Sequence, residues 1–289
     1  MTDTDANKTA TLLVSCRDRT GLVARLSDFI FRNGGNILYA DQHSEKETGW
    51  FFMRLVWDLQ GFALDRQAAR VAIGKLGTTL GMEWRLFFSD ERPRVAVFCG
   101  NTFHCLYDLL LCQQLGEMAG DIVQIVSNHQ AASEVAGHFG VPFACFPVTP
   151  ETKREAEKAQ LNLLETLHID LVVLARYMQV LSPDFLTRSP GAIINIHHSF
   201  LPAFTGSKPY HQAKARGVKV IGATAHYVTP ELDQGPIIEQ DVCRASHRDE
   251  VEDLVSKGRE LERQVLTRAV RLHLDRKVLI SGNRTVVFS

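Results

Sequence analysis

The stretch INIHHSFLP, from Ile194 to Pro202, ends an apolar run with one amide and two imidazoles: Asn195, His197 and His198. Side chains alternate along a strand, so Asn195 and His197 are expected on one face and His198 on the other. An amide beside an imidazole suits chemistry at a carbonyl. The amide N–H can stabilise a developing oxyanion, and the imidazole can hold or move a proton. Such a site needs a carboxylate to fix the imidazole or to act as base. Asp233 offers one, within TPELDQGPII between two strand-like runs, Val220–Val228 and Pro236–Val242. That segment is too polar for core and too short for a linker, as a loop over a pocket would be. Glu231, Glu239 and Asp241 are local rivals that pattern alone does not separate. A lone Asn/His pair more often has a structural role.

Two other chemistries find less support. His197, His198, His211 and His226 raise the question of zinc, but HExxH, a paired CxxC and regular ligand spacing are all absent, so no metal is expected. His226 reads as a supporting residue inside a strand. The six cysteines (Cys16, Cys99, Cys105, Cys112, Cys145 and Cys243) are scattered through apolar surroundings. They read as buried free thiols in a reducing cytoplasm, none in an activating setting for nucleophilic catalysis.

Elements able to position these residues follow from the whole chain. Its 289 residues, 45% hydrophobic and 22% charged, suit one large or two ordinary globular domains. A formal net charge of -1 gives no basic surface for nucleic acid. No apolar run reaches membrane-spanning length, and MTDTDANKT lacks a signal-peptide layout, so a cytoplasmic protein is expected. In residues 1–90, a strand at Ala10–Cys16 leads through RDRTG into a helix with Leu22, Val23, Leu26, Phe29 and Ile30 on one face. Thr20 is the expected N-cap and NGG at Asn33–Gly35 the stop. Strands at Asn36–His43 and Trp50–Leu59, a helix at Leu64–Leu80 and a strand at Met82–Phe88 complete a βαββαβ order. The polar SDERPR, Ser89–Arg94, marks a boundary.

From residue 91 onward the pattern changes to alternating strands (Arg94–Cys99, Asp121–Ser127, Phe143–Phe146, Leu171–Ala175, Ala192–Ile196) and helices (Phe103–Leu115, Ala131–Phe139, Lys153–Leu167, Pro183–Arg188). Short apolar strands alternating with helices predict an α/β fold, a doubly wound, mostly parallel sheet running to residue 289. Ligands in such sheets sit beyond the carboxyl ends of the strands, which is where INIHHSFLP falls.

Two family resemblances sharpen this reading. SCRDRTGLVARLSDFI and GGNI resemble the ACT-type domain, a ferredoxin-like module. The resemblance implies a regulatory or oligomerisation role, with an amino-acid effector such as glycine or methionine held near Asp18, Arg19, Thr20, Gly21 and Asn36, and a dimer or tetramer. A helix N-terminus beside a turn suits a carboxylate. INIHHSFLPAFTGSKPYHQA and GATAHYVTPELDQGPIIEQ resemble the catalytic core of the folate-dependent formyltransferase family, and nearly the whole chain is covered. The resemblance implies that Asn195, His197 and Asp233 are the catalytic trio. It also implies that LARYMQVLS carries a folate-binding loop with Arg176, Tyr177 and Met178, and that the backbone of Val228, Thr229 and Leu232 up to Asp233 holds the pterin ring.

A leading ACT-type domain points to the branch that hydrolyses 10-formyltetrahydrofolate to formate and tetrahydrofolate. That activity supplies formate to purine synthesis and balances the folate pools, with folate as substrate and no bound cofactor. Three alternatives compete. A transferase to a phosphorylated amine such as glycinamide ribonucleotide would use a glycine-rich phosphate turn, whereas CGNTFHCLYDLL has one glycine followed by Phe103 and His104. These two are expected to block the acceptor side, although Phe103 can equally face the helix core beside Leu106 and Leu110. A transferase acting on tRNA would need a further basic domain after the helix at Asp249–Leu274 and the hairpin at Lys277–Phe288. A non-catalytic amino-acid sensor would not need the trio.

Overall fold

In the computed structural model, residues 8–203 and 209–288 are described; MTDTDAN and the FTGSK portion of the formyltransferase-like stretch lie outside them. The chain divides into two compact units. One takes the chain up to Arg92 together with Arg276–Ser281 and the residues from Val286 onward; the other takes Pro93–Asp275 and Gly282–Thr285.

The first unit runs β1 (Thr9–Arg17), α1 (Leu22–Arg32), β2 (Asn36–Glu45), β3 (Trp50–Asp58), α2 (Arg66–Leu80) and β4 (Glu83–Phe88). Its antiparallel sheet has the order β2-β3-β1-β4, the ferredoxin-like arrangement. Central strands β1 and β3 are apolar on both faces because both faces are covered. Leu12, Val14, Met53, Leu55 and Trp57 pack with Leu26, Ile30 and Ile73 of the helices. Leu13 and Phe52 pack on the other side with Leu279 and Phe288. This second contact explains why residues near the C-terminus belong with the first unit and not, as the sequence pattern suggests, wholly with the second. Helix α1 also starts differently from expectation. Its N-cap is Gly21 at φ 90, with no side-chain cap, so Thr20 does not cap it.

The second unit contains β5 (Arg94–Cys99), α3 (His104–Gln114), β6 (Asp121–Ser127), α4 (Ala132–Phe139), β7 (Phe143–Cys145), α5 (Lys153–Thr166), β8 (Leu171–Ala175), α6 (Pro183–Arg188) and β9 (Ala192–His197). There follow α7 (Pro209–Arg216), β10 (Val220–Tyr227), β11 (Ile237–Arg244) and the long α8 (Val251–Leu274); a ribbon, β12 (Val278–Ser281) and β13 (Arg284–Val287), ends the chain. The seven-stranded sheet has the order β11-β10-β9-β8-β5-β6-β7. Strands β5 to β9 are mutually parallel, and β10 and β11 are antiparallel additions.

Strand order reverses between β5 and β8, creating the crevice where such sheets bind ligands. On one face, Phe98, Leu174, Leu161, Leu164 and Phe185 form the core beneath α5 and α6. Helix α8 presents a stripe of Leu254, Gly258, Leu261, Glu262, Val265, Leu266 and Ala269 to the interior. A reciprocal capping box between Glu250 and Asp253 starts it. Helix α7 is not among the elements expected from the sequence, because among its described side chains only Tyr210 and Ala213 are buried and apolar. No helix among the described residues is long and apolar enough to cross a membrane.

Candidate active site

The carboxyl ends of β5, β8 and β9 open into a cleft of about 600 Å³, a volume suited to a cofactor-sized ligand. Asn195 and His197, two apart on β9, both line it. His198 lines it too, contrary to strict alternation. Strand β9 ends at His197, so the chain is free to turn, and the two rings lie 5.1 Å apart. Strand β10 places His226 directly opposite Asn195. The Nδ1–H of His226 donates to the Tyr227 carbonyl at 2.9 Å, which leaves Nε2 to accept from the Asn195 amide at 3.3 Å. His226 thereby fixes which way the Asn195 side chain faces.

Asp233 reaches the same point from the β10–β11 connection. Its Oδ1 lies 3.3 Å from His197 Nδ1 and 3.7 Å from His226 Nε2. The hydrogen bond donated by His197 holds this carboxyl well below the usual carboxylate range. Asp233 itself sits at φ 56, a left-handed conformation uncommon outside glycine. Gly235 fixes the loop. A Cβ there would stand 1.7 Å from the Tyr227 carbonyl oxygen, so no other residue lets the chain pass. The rival carboxylates are accounted for elsewhere. Asp241 pairs with Arg268 at 2.5 Å, Glu239 lies 4.0 Å from the same guanidinium, and Glu231 is not among the residues lining the cleft.

One wall of the cleft is apolar. Met178 and Leu232 are 67% and 65% exposed there, with Val180, Leu181, Leu186 and Val228 beside them. Thr229 lies on the same rim. The loop after β8 that carries Met178 is pinned by Gly100, whose N–H donates to the Arg176 carbonyl at 3.1 Å; a Cβ on Gly100 would come within 2.6 Å of that oxygen. Arg176 and Met178 both have positive φ, 62 and 57. Tyr177 also lines the cleft but shows it little surface. Its ring packs edge-on against Phe98 and its hydroxyl accepts from Gln160 at 2.8 Å, so most of the side chain is core.

The opposite wall is polar and centres on Glu262, which the sequence reading missed. Its carboxylate is only 2% exposed. Oε1 accepts from the Tyr210 hydroxyl at 2.8 Å, and Oε2 meets His104 Nε2 at 2.8 Å and Arg176 Nε at 3.5 Å. Burial opposes its charge, but the His104 hydrogen bond and the Arg176 charge outweigh it and hold the carboxyl below its ordinary range. A detectable signal existed: position 262 falls on the apolar stripe of α8, where a carboxylate needs partners. Burial, reinforced by the Arg176 charge, pushes His198 down to about 4, so its ring is neutral near neutral pH. Phe103 is the N-cap of α3 and is not among the residues lining the cleft; of the two expected blockers only His104 faces it.

His104, Cys105 and Glu262 bring three ligand-type atoms within 4.8 Å. Burial pushes the Cys105 thiol well above its ordinary range, and Glu262 accepts from Tyr210 and meets His104 Nε2 at 2.8 Å. In the first unit, Asp18, Arg19, Thr20 and Gly21 form the exposed β1–α1 turn, and Asn36 begins β2. The Asp18 N–H donates to the Gly49 carbonyl at 2.9 Å, and the Arg19 guanidinium donates to the Leu80 carbonyl at 2.6 Å.

Comparison with known proteins gives the same division. Residues 93–270 match the formyl transferase family model and residues 10–68 the ACT domain model. A formyltetrahydrofolate deformylase from a Synechocystis species is 53% identical, with 98% of this chain and 99% of the relative covered. The crystal structure of a formyltetrahydrofolate deformylase from Pseudomonas syringae pv. tomato superposes with a TM-score of 0.96 at 43% identity, covering 99% of this chain and 96% of that one. Glycinamide ribonucleotide transformylase 1 from Symbiobacterium toebii matches 71% of this chain and 98% of its own, at 31% identity and a TM-score of 0.65. With relatives of one name matching from end to end, and the transformylase matching only part of it, the chain belongs to the formyltetrahydrofolate deformylase family.

Proposed function

We propose that the protein hydrolyses 10-formyltetrahydrofolate to formate and tetrahydrofolate, with Asn195, His197 and Asp233 as the catalytic residues. The observation that carries this reading is the Asp233–His197 pair, 3.3 Å apart on the floor of a cleft with one apolar wall. The pterin ring lies against that wall, over Met178, Val228 and Leu232, with backbone of Val228–Asp233 reading its polar edge. This presents the formyl carbon to the trio. A water oxygen attacks that carbon and the carbonyl π electrons move onto oxygen. The amide N–H of Asn195 and the Nε2–H of protonated His197 stabilise the oxyanion. Both imidazole contacts of Asp233 fall on Oδ1, leaving Oδ2 to orient the water and take its proton, directly or through a second water. The C–N10 bond then breaks, its electron pair returns to N10, and N10 takes a proton from the same network. Folate is the substrate, and none of these steps calls on a bound cofactor or a covalent intermediate.

The first unit serves regulation, binding a small amino acid such as glycine or methionine at the β1–α1 turn, and the protein works in the cytoplasm as a dimer or tetramer. Formate release from 10-formyltetrahydrofolate, assayed with and without those amino acids, tests both parts. Absence of formate would sink the first part, and an unaltered rate with either amino acid would sink the second.

A further inference from the structure

We propose that Glu262, with the Arg176, His104 and Tyr210 side chains gathered on it, is a specificity-determining plug that keeps amines from the formyl group and leaves water as the nucleophile. The inference rests on the deformylase reading above. The apolar wall takes the folate, so a competing acceptor must approach the formyl carbon from the polar wall. All four residues of the cluster line that wall.

Two features of the cluster are individually unfavourable and coincide here. Glu262 places a carboxylate on the buried stripe of a helix, where an uncompensated charge is strongly destabilising. Arg176 places a long side chain at φ 62, a conformation natural to glycine. That backbone, at the end of β8, is what lets the guanidinium reach Glu262, 3.5 Å away. Tyr210 is fitted as closely. A Cβ on Gly258 would fall 1.9 Å from its hydroxyl oxygen, so the glycine one turn before Glu262 is what admits the ring. Both carboxylate oxygens are engaged by protein donors, so Glu262 holds its neighbours in place. A buried anion and three large side chains make up the wall from which a phosphorylated amine, such as the one in the name of the transformylase matched above, would have to approach.

The test is the partition of the formyl group in the full-length protein given 10-formyltetrahydrofolate with glycinamide ribonucleotide or glycinamide. Wild type is expected to release formate at a rate that neither amine slows, with no formylated amine. Arg176→Gly suits the native backbone and opens the wall. In it the ratio of formylated amine to formate should rise at least about tenfold, or either amine should become a competitive inhibitor of formate release. Glu262→Gln keeps the shape but frees Arg176 and His104, and carries the same expectation should Arg176→Gly not fold. Competitive inhibition of wild type by either amine overturns the proposal. So does a folded, folate-binding Arg176→Gly or Glu262→Gln whose partition and formate release ignore both amines. Failure of wild type to release formate would instead overturn the deformylase reading, a result distinct from either.

Discussion

Replacing Asp233 by Asn is the sharpest perturbation of the proposed mechanism, because it keeps the shape of the side chain and removes only its charge. With His197 protonated, as the proposed mechanism requires, two unit charges 3.3 Å apart attract by about 5 kcal/mol at an effective dielectric constant of about 20. Asp233 is 15% exposed, and the cleft admits water, so roughly half of that is a reasonable net loss. About 2.5 to 3 kcal/mol of lost transition-state stabilisation is about a hundredfold in rate. The carboxamide can still accept from His197 Nδ1, so the ring should keep its orientation and folate should still bind. Formate release under single turnover gives the rate, and equilibrium titration with a non-hydrolysable folate gives the affinity. A hundredfold or greater loss of rate with affinity kept within a fewfold is expected. A variant that releases formate within about threefold of wild type would refute the assignment of Asp233 and its charge.

Three further outcomes follow from the same geometry. His198 has a folded-state value of about 4 against 6.5 ordinarily, so between those limits the unfolded chain binds the extra proton and stability falls as pH falls, by about 3 kcal/mol in full. Urea melts at pH 7 and pH 4.5 should show this loss in wild type and a smaller one in His198→Gln; parallel losses would contradict it. Gly235→Ala must displace the Asp233 loop to relieve a 1.7 Å contact, and should cost formate release on the order of a hundredfold, which wild-type kinetics in the variant would disprove. Asp18→Ala, at the β1–α1 turn, should abolish any change in formate release on titration with glycine or methionine while leaving the basal rate alone, and a retained response would place the effector elsewhere.

How much of this was legible in the sequence depended on how local its cause was. Strands β5, β6 and β8 begin and end where expected because each is an apolar run bounded by turn residues. The carboxyl end of β9 was legible for the same reason, and with it Asn195 and His197. Membership of the C-terminal ribbon was not. Leu279 and Phe288 find their partners at Leu13 and Phe52, more than two hundred residues away, and no local period encodes that. Thr20 has the right residue type for a cap, but Gly21 with φ 90 turns the chain before a hydroxyl can serve. Choosing Asp233 over Asp241 needed the register of β10 on β11, which turns Asp241 towards Arg268. That most of the Tyr177 ring is core was not legible either, because its hydroxyl meets Gln160 on a separate helix, although the residue still lines the cleft.

The two carboxylates that line the cleft show why residue type alone could not assign the chemistry. Both are held charged, and both have an imidazole within hydrogen-bonding or ion-pair distance, so type and pairing do not distinguish them. Occupancy does. Glu262 has one oxygen on Tyr210 and the other on His104 and Arg176, from a helix, so both oxygens are engaged by protein donors. Asp233 spends only Oδ1, from a loop whose strained backbone holds it over the floor of the cleft. Its remaining oxygen is therefore the one anionic acceptor among the described lining residues not already committed to a protein donor. A carboxylate held so far below its ordinary range is a weak base in the resting state, and it becomes a stronger one as the His197 proton is drawn towards the oxyanion. In the proposed mechanism, proton transfer from water would thus be tied to charge development on the substrate, which is where a hydrolase gains most from it.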